Sequence, residues 1–288
     1  MNYTIRGYVK PYARFNLDRL VELAAIYAPS KMEEPVAQYL IPILERYCTS
    51  IERDVEGNLC AWKPGDSGAD TVLLCSHMDT VFFHELERVF EVEDGYLQLN
   101  QSLLPREPER GVPRPAVLGG DDRAGIEMIL SLLEQYDGPL NLRVLFTTRE
   151  EIGGEGIFDV KRDFLEGVKF GLVLDRRGTG DIITRISSTN LAPRSLISYV
   201  RHCGELQNIR DLRETVGSFS DAFFLAKRHR IPCVNLSVAY FFPHTSKEKI
   251  DLYAYDDCMG WVLRILNGYH PQVFDDVMPF RPQMLTTR

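Results

Sequence analysis

Residues able to bind a cation or move a proton recur in this sequence at one kind of place, just after a short apolar run. His77 follows TVLLCS (71–76), with Asp79 two positions on. Asp121 and Asp122 follow Gly119-Gly120 and the run Ala116–Leu118. Glu150 and Glu151 follow the run that begins at Leu140, and precede Gly153-Gly154. Asp175 follows Lys169–Leu174, and His244 comes soon after Pro232–Val238. Taken singly, each has an ordinary explanation. His77 would be a satisfied buried histidine, Asp121-Asp122 a helix cap pair, and Glu150-Glu151 a solvated charge pair. Asp175 would pair with the arginines after it, and His244 would be a loop residue. Their recurrence at five run ends is what argues for shared chemistry.

Zinc takes imidazole nitrogen and carboxylate oxygen, and a catalytic zinc keeps one position open for water. Two cations clamped by a shared carboxylate need terminal ligands on each side. They also need a carboxylate that binds neither cation and takes the water's proton. That makes six residues, and the sequence offers His77, Asp121, Glu150, Glu151, Asp175 and His244. Asp79 is spaced to accept the second N–H of the His77 ring.

These groups must be held by regular elements. Helical periodicity covers Asn16–Tyr27, Met32–Tyr47 (with Pro42 expected to kink it), Asp122–Tyr136, Gly154–Phe164, Ser220–Arg228 and Leu252–Leu266. Strands are expected at Thr71–Ser76, Ala116–Leu118, Leu140–Thr147, Lys169–Leu174, Asp181–Ser187 and Pro232–Val238. Hairpins are expected over Ile51–Trp62 and over Arg88–Asn100, the second turning at Asp94-Gly95. Gln101–Pro115 is a proline-rich loop whose Arg106, Arg110 and Arg114 read as a solvated rim, and the tail beyond Tyr269 as poorly packed. Strands alternating with helices predict an α/β three-layer sandwich with a mostly parallel, mixed central sheet. In such sheets functional groups gather at the carboxyl ends of the strands.

The whole chain is consistent with this. Its 288 residues are 44% hydrophobic and 26% charged, enough for one large core. A net charge of −8 argues against nucleic acid or an anionic membrane as the main partner. None of the six cysteines has zinc-knuckle or thioredoxin spacing, and Cys75 and Cys233 read as small buried hydrophobes. With no secretory leader and no membrane-length apolar run, a cytoplasmic setting is expected. No phosphate-binding loop is present; Gly217–Ser220 lacks the serine of a nucleophile elbow; and His84-Glu85 lacks the second histidine of a zincin.

HMDTV (77–81), GGDDRAG (119–125), TREEIGGEG (148–156), Asp175 and HTSKEKIDL (244–252) together resemble the co-catalytic di-zinc exopeptidases. That superfamily includes peptidase T, glutamyl aminopeptidases and single-domain zinc aminopeptidases. The resemblance runs in order from about residue 16 to 266, and FSDAFFLAKRHRIPCVNLSV (219–238) extends it. It implies the zinc-exopeptidase (phosphorylase/hydrolase-like) fold. It also implies that His77, Asp121 and Asp175 hold one metal, and Asp121, Glu151 and His244 the other. Glu150 would be general base and then acid, Asp79 would orient His77, and Asp122 would be either a cap or a group supporting the ligands from behind. Two divalent ions are implied, zinc first, with cobalt or manganese as alternatives. The expected activity is hydrolysis of a small peptide or amide substrate, most simply as an aminopeptidase; oligomers are compatible with it. Many relatives insert a lid or dimerisation domain between the aspartate and the final histidine. Here Asp175 and His244 are only 69 positions apart, so residues 1–288 are expected to be one catalytic domain without a lid. Rival readings are a non-peptide amidase or deacylase on the same site, a metal-binding protein without turnover, and a single-metal module.

Overall fold

The computed structural model describes residues 4–6, 14–83, 88–104 and 116–274. His84-Glu85, the loop with Arg106, Arg110 and Arg114, and the tail beyond Phe274 lie outside the described residues. Within them, nine strands form the larger sheet. From one edge to the other run Thr189–Asn190, Asp181–Ile186, Cys233–Ser237, Val168–Arg176, Thr71–His77, Asn141–Thr147, Leu59–Lys63 and Ser50–Arg53. Arg213–Gly217 pairs with Asp181–Ile186 off this path. Cys233–Ser237, Val168–Arg176, Thr71–His77 and Asn141–Thr147 are mutually parallel, while the strands beside this group are antiparallel to it.

The apolar runs exist because this sheet is covered on both faces. Every residue of Thr71–His77 is buried. Val72 and Leu74 enter one core, and Leu73 and Cys75 the other. Leu172 and Leu174 alternate with Val173 in the same way. Helices Leu17–Ala25, Glu34–Leu44, Gly120–Gln135, Arg194–Leu206 and Leu252–Gly268 contribute to the first core. Asp221–Lys227 and the short helices Glu155–Phe158 and Arg162–Leu165 contribute to the second. The result is helix, sheet, helix. Gly125 is the point of closest approach. A Cβ there would lie 1.9 Å from the carbonyl oxygen of Leu174, so only glycine lets this helix lie against the central strand. No helix of the described residues is long and apolar enough to cross a membrane.

A smaller sheet orders Thr4–Arg6, Phe90–Glu93, Tyr96–Leu99, Lys249–Asp251 and Tyr240–Phe241. The Asp94-Gly95 turn is as expected, with positive φ at both residues (49° and 83°). The strand expected at Ala116–Leu118 does not form. The segment is buried, but Arg88 reaches in and donates to the carbonyls of Val117 (3.1 Å) and Leu118 (3.4 Å), and to Ala25 (3.0 Å). A guanidinium replaces the neighbouring strand that buried carbonyls otherwise require. Helix Glu34–Leu44 contains Pro42 and stops two residues after it. The expected helix at Gly154–Phe164 is split into the two short ones. Helix Arg194–Leu206 and strand Arg213–Gly217 were not anticipated.

Candidate metal centre

The parallel strands deliver their carboxyl ends to one place. His77 is the last residue of its strand, and Asp175 is the last but one of the neighbouring strand. Glu150 and Glu151 occupy the turn after Asn141–Thr147. Asp121 precedes the regular part of helix Gly120–Gln135: Asp121 and Asp122 are non-helical, and the peptide between them is cis. His244 comes from the other sheet, in the connection between Tyr240–Phe241 and Lys249–Asp251.

The six residues converge. His77 Nε2 lies 3.1 Å from Asp121 Oδ1 and 3.5 Å from Asp175 Oδ1. His244 Nε2 lies 3.1 Å from Asp121 Oδ2 and 2.9 Å from Glu151 Oε1. Asp121 therefore turns one oxygen to each imidazole. Glu150 and Glu151 line the same cavity of about 740 Å³. Asp122 also lies near His77 and Asp175. Its oxygens, however, accept from Ser76 Oγ (2.5 Å) and from the Gly125 amide (3.0 Å). That makes Asp122 the cap of its helix.

The remaining acidic groups hold the frame. The Asp79 carboxylate accepts the backbone N–H of Glu150 at Oδ1 (3.0 Å) and of Glu151 at Oδ2 (3.1 Å), plus Ser30 Oγ (2.6 Å). His77 Nδ1 is 3.0 Å from the Asp79 carbonyl and 3.4 Å from its Oδ1, so the backbone is the nearer acceptor. Glu248 is buried and accepts from the amides of Gly119 (2.8 Å) and Asp121 (2.9 Å). Glu33 accepts the Arg149 amide (2.9 Å), where φ is 56°. Arg123, fully buried, donates to the carbonyls of Met78 (2.5 Å) and Leu23 (3.1 Å). Sequence reading did not assign Glu248, Glu33, Arg123 or the amide-holding role of Asp79. For Glu248, Arg123 and Asp79 the only signal was membership of the same short motifs; Glu33 lies outside all of them.

The electrostatics are lopsided. Burial pushes Glu150 well above the usual carboxylate range, and raises Glu151 and Asp175. It also lifts Glu248 to about 8 and Asp221 to about 7. Burial disfavours charge on the imidazoles, but their carboxylate neighbours override it. They carry His77 well up, and His244 to about 10. Burial opposes ionisation of Asp121 too, yet His244 and His77 pull it down. Far more carboxylates than imidazoles are thus forced together out of water, which is costly unless cations join them.

Local geometry points the same way. His244 Nε2 and Glu151 Oε1 are buried and 2.9 Å apart, close enough for an ion pair when the ring is protonated and for a shared cation when it is not. Ligands on one zinc at about 2.0–2.1 Å also stand roughly 3 Å apart. The nitrogen and oxygen donor set suits divalent ions. The centre is compatible with two of them.

No family model matches the chain. Over 155 residues, 52% of its length, it is 28% identical to the cytosol non-specific dipeptidase of Escherichia coli (strain K12), and it spans 30% of that protein. Among solved structures, aminopeptidase PepT from Bacillus cereus superposes with a TM-score of 0.74 at 18% identity, over 88% of this chain and 99% of that one. A tripeptidase from Staphylococcus aureus gives 0.73 at 15% identity, over 88% and 98%. The mostly parallel sheet, its helices and the order of its elements are the fold of these peptidases.

Proposed function

We propose that this chain is a two-metal hydrolase of peptide-like amide bonds, an exopeptidase acting on short peptides from the amino end. The observation that carries the reading is Asp121, whose two oxygens each lie 3.1 Å from a different imidazole. Glu150 lines the same cavity. His77 and Asp175 would hold one ion, Glu151 and His244 the other, and Asp121 both. Zinc fits the donors best, with cobalt or manganese as substitutes. When bound, such ions supply an activated water and polarise the scissile carbonyl.

The chain's own residues do the rest. Glu150 takes the proton of the attacking water and returns it to the leaving amine. Asp79 fixes where Glu150 stands, through that residue's backbone amide. The residues between Asp175 and His244 are largely spent on strands and helices of the main sheet, which supports a single catalytic domain without an inserted lid. The six cysteines are free, which suits a reducing, cytoplasmic setting.

The test is elemental analysis of zinc-reloaded protein together with a Glu150→Gln variant. Two ions per chain are expected in both, with hydrolysis of short peptides reduced about a thousand-fold in the variant. One ion or none, or a fully active variant, would sink the reading.

A further inference from the structure

The cavity that holds the metal-binding groups continues past them to a second chemistry. Two arginines line it, Arg176 and Arg177, and their situations differ. Arg176 is bound to Asp181, with Nε and Nη2 both 2.9 Å from Oδ2. The other oxygen of Asp181 takes Arg213 Nε at 2.7 Å. Asp181 is therefore saturated by two guanidiniums. Arg177 is exposed, and among the described residues no carboxylate pairs with it.

Its backbone, by contrast, is fixed. Ser237 Oγ donates to the Arg177 carbonyl (3.0 Å), and the amides of Val238 and Gly178 bond to the carbonyls of Arg176 (2.8 Å) and Tyr240 (2.9 Å). The fold thus presents a free cation from a rigid support. Arg177 is the first residue beyond strand Val168–Arg176, at the bend where that strand ends. It lines the same cavity as Asp175, Glu150 and His244, so a substrate seated along the metal-binding groups shares that cavity with the guanidinium. Ile183, Val216 and Phe219 make part of the cavity wall apolar, and Arg176 in the same wall is already paired with Asp181.

We infer that Arg177 is the specificity-determining residue of this site and binds a carboxylate of the substrate. A planar guanidinium pairs with a carboxylate through two parallel hydrogen bonds, which fixes orientation as well as charge. The carboxylate is either the C-terminal group of a very short peptide or the side chain of an aspartyl or glutamyl residue. The inference deepens the peptidase reading and rests on it.

The test uses full-length, zinc-loaded protein and paired substrates. One pair is a neutral tripeptide as free acid and as C-terminal amide. The other is a glutamyl and an alanyl anilide, neither of which has a terminal carboxylate. The wild type is expected to prefer the anionic member of one pair, and which pair identifies the carboxylate. Arg177→Ala should raise KM for that member by about ten- to a hundred-fold, leave its neutral counterpart unchanged, and move kcat little. Arg177→Lys should fall between. Because Arg177 is exposed, melting temperature should not change. Preference for neither anion, or equal loss on both members of a pair, overturns the inference.

A second readout separates this from failure of the peptidase reading. The same four compounds are titrated calorimetrically into Glu150→Gln protein, with and without Arg177→Ala. If the wild type hydrolyses nothing but the anionic compound binds in an Arg177-dependent way, the reaction is misassigned and the carboxylate site stands. If no compound binds more tightly with Arg177 present, the carboxylate site falls.

Discussion

The two sides of the metal centre are made differently. His77 ends a fully buried strand, and Asp175 lies in the next strand of the same sheet. The His77 side chain is 1% exposed. Across the site, Glu151 sits in a turn. His244 stands at φ 64° in the connection of a short hairpin, with its side chain 35% exposed. Ladder hydrogen bonds place the first pair, and individual side-chain contacts place the second. On the proposed reading, one cation position would be preformed by the main sheet and the other assembled from parts that must each be held, with Asp121 joining them.

The largest effect should come from removing the joint. Asp121→Ala is expected to lose both ions and at least about a thousand-fold in activity; retention of two ions would break the picture of a shared carboxylate. Next come the two histidines. His77→Ala should cost about 2–4 kcal/mol of stability, because it hollows a packed interior. His244→Ala should leave the urea midpoint nearly unchanged and retain one ion per chain. Denaturation and metal analysis of the two variants check this, and the reverse asymmetry would refute the contrast. Glu248→Gln should weaken both ions by about ten- to a hundred-fold in a zinc titration, since the carboxylate it steadies is shared. Loss confined to one side would mean that Asp121 serves only that side.

The smallest effect concerns a group outside the ligand set. Asp221 is buried, accepts from Thr147 Oγ (2.5 Å), and is raised by burial to about 7. An unfolded aspartate titrates near about 3.9. Between roughly pH 4 and 7 the folded state therefore holds more protons than the unfolded one. The stability from this group is complete below that window and is lost as pH rises through it. Metal-free protein should weaken over that range by a few kcal/mol at most. Asp221→Asn should flatten the slope of urea midpoint against pH, and an unaltered slope would clear Asp221 of the effect.

What could be read in advance follows the same division. The candidate ligands of the main sheet were legible because both faces of its parallel strands are buried. Each strand is then an uninterrupted apolar run, and the polar residue that ends it stands out. The smaller sheet gave less. Tyr240–Phe241 is a two-residue strand and Lys249–Asp251 a three-residue one. Neither is long enough to show alternation, so the support under His244 and the role of Glu248 stayed hidden. Arg213–Gly217 lies beside the edge pair and has no fully buried residue, so it carried no apolar signal. Helix Arg194–Leu206 did carry one, in Leu196, Ile197, Val200 and Cys203. Polar residues beside and between them, Arg194, Ser195, Ser198, Arg201 and His202, interrupt that stripe. Ala116–Leu118 erred the other way: burial alone looks like a strand when a distant arginine supplies the hydrogen bonds.

Asp79 has a consequence for manufacture, in the sense that a machinist would use the word. Its carboxylate holds the amides of Glu150 and Glu151, and its carbonyl meets the ring of His77. The two turn residues are dimensioned from one datum rather than from one another, while His77 is held by its own strand. Positional errors between Glu150 and Glu151 therefore do not accumulate.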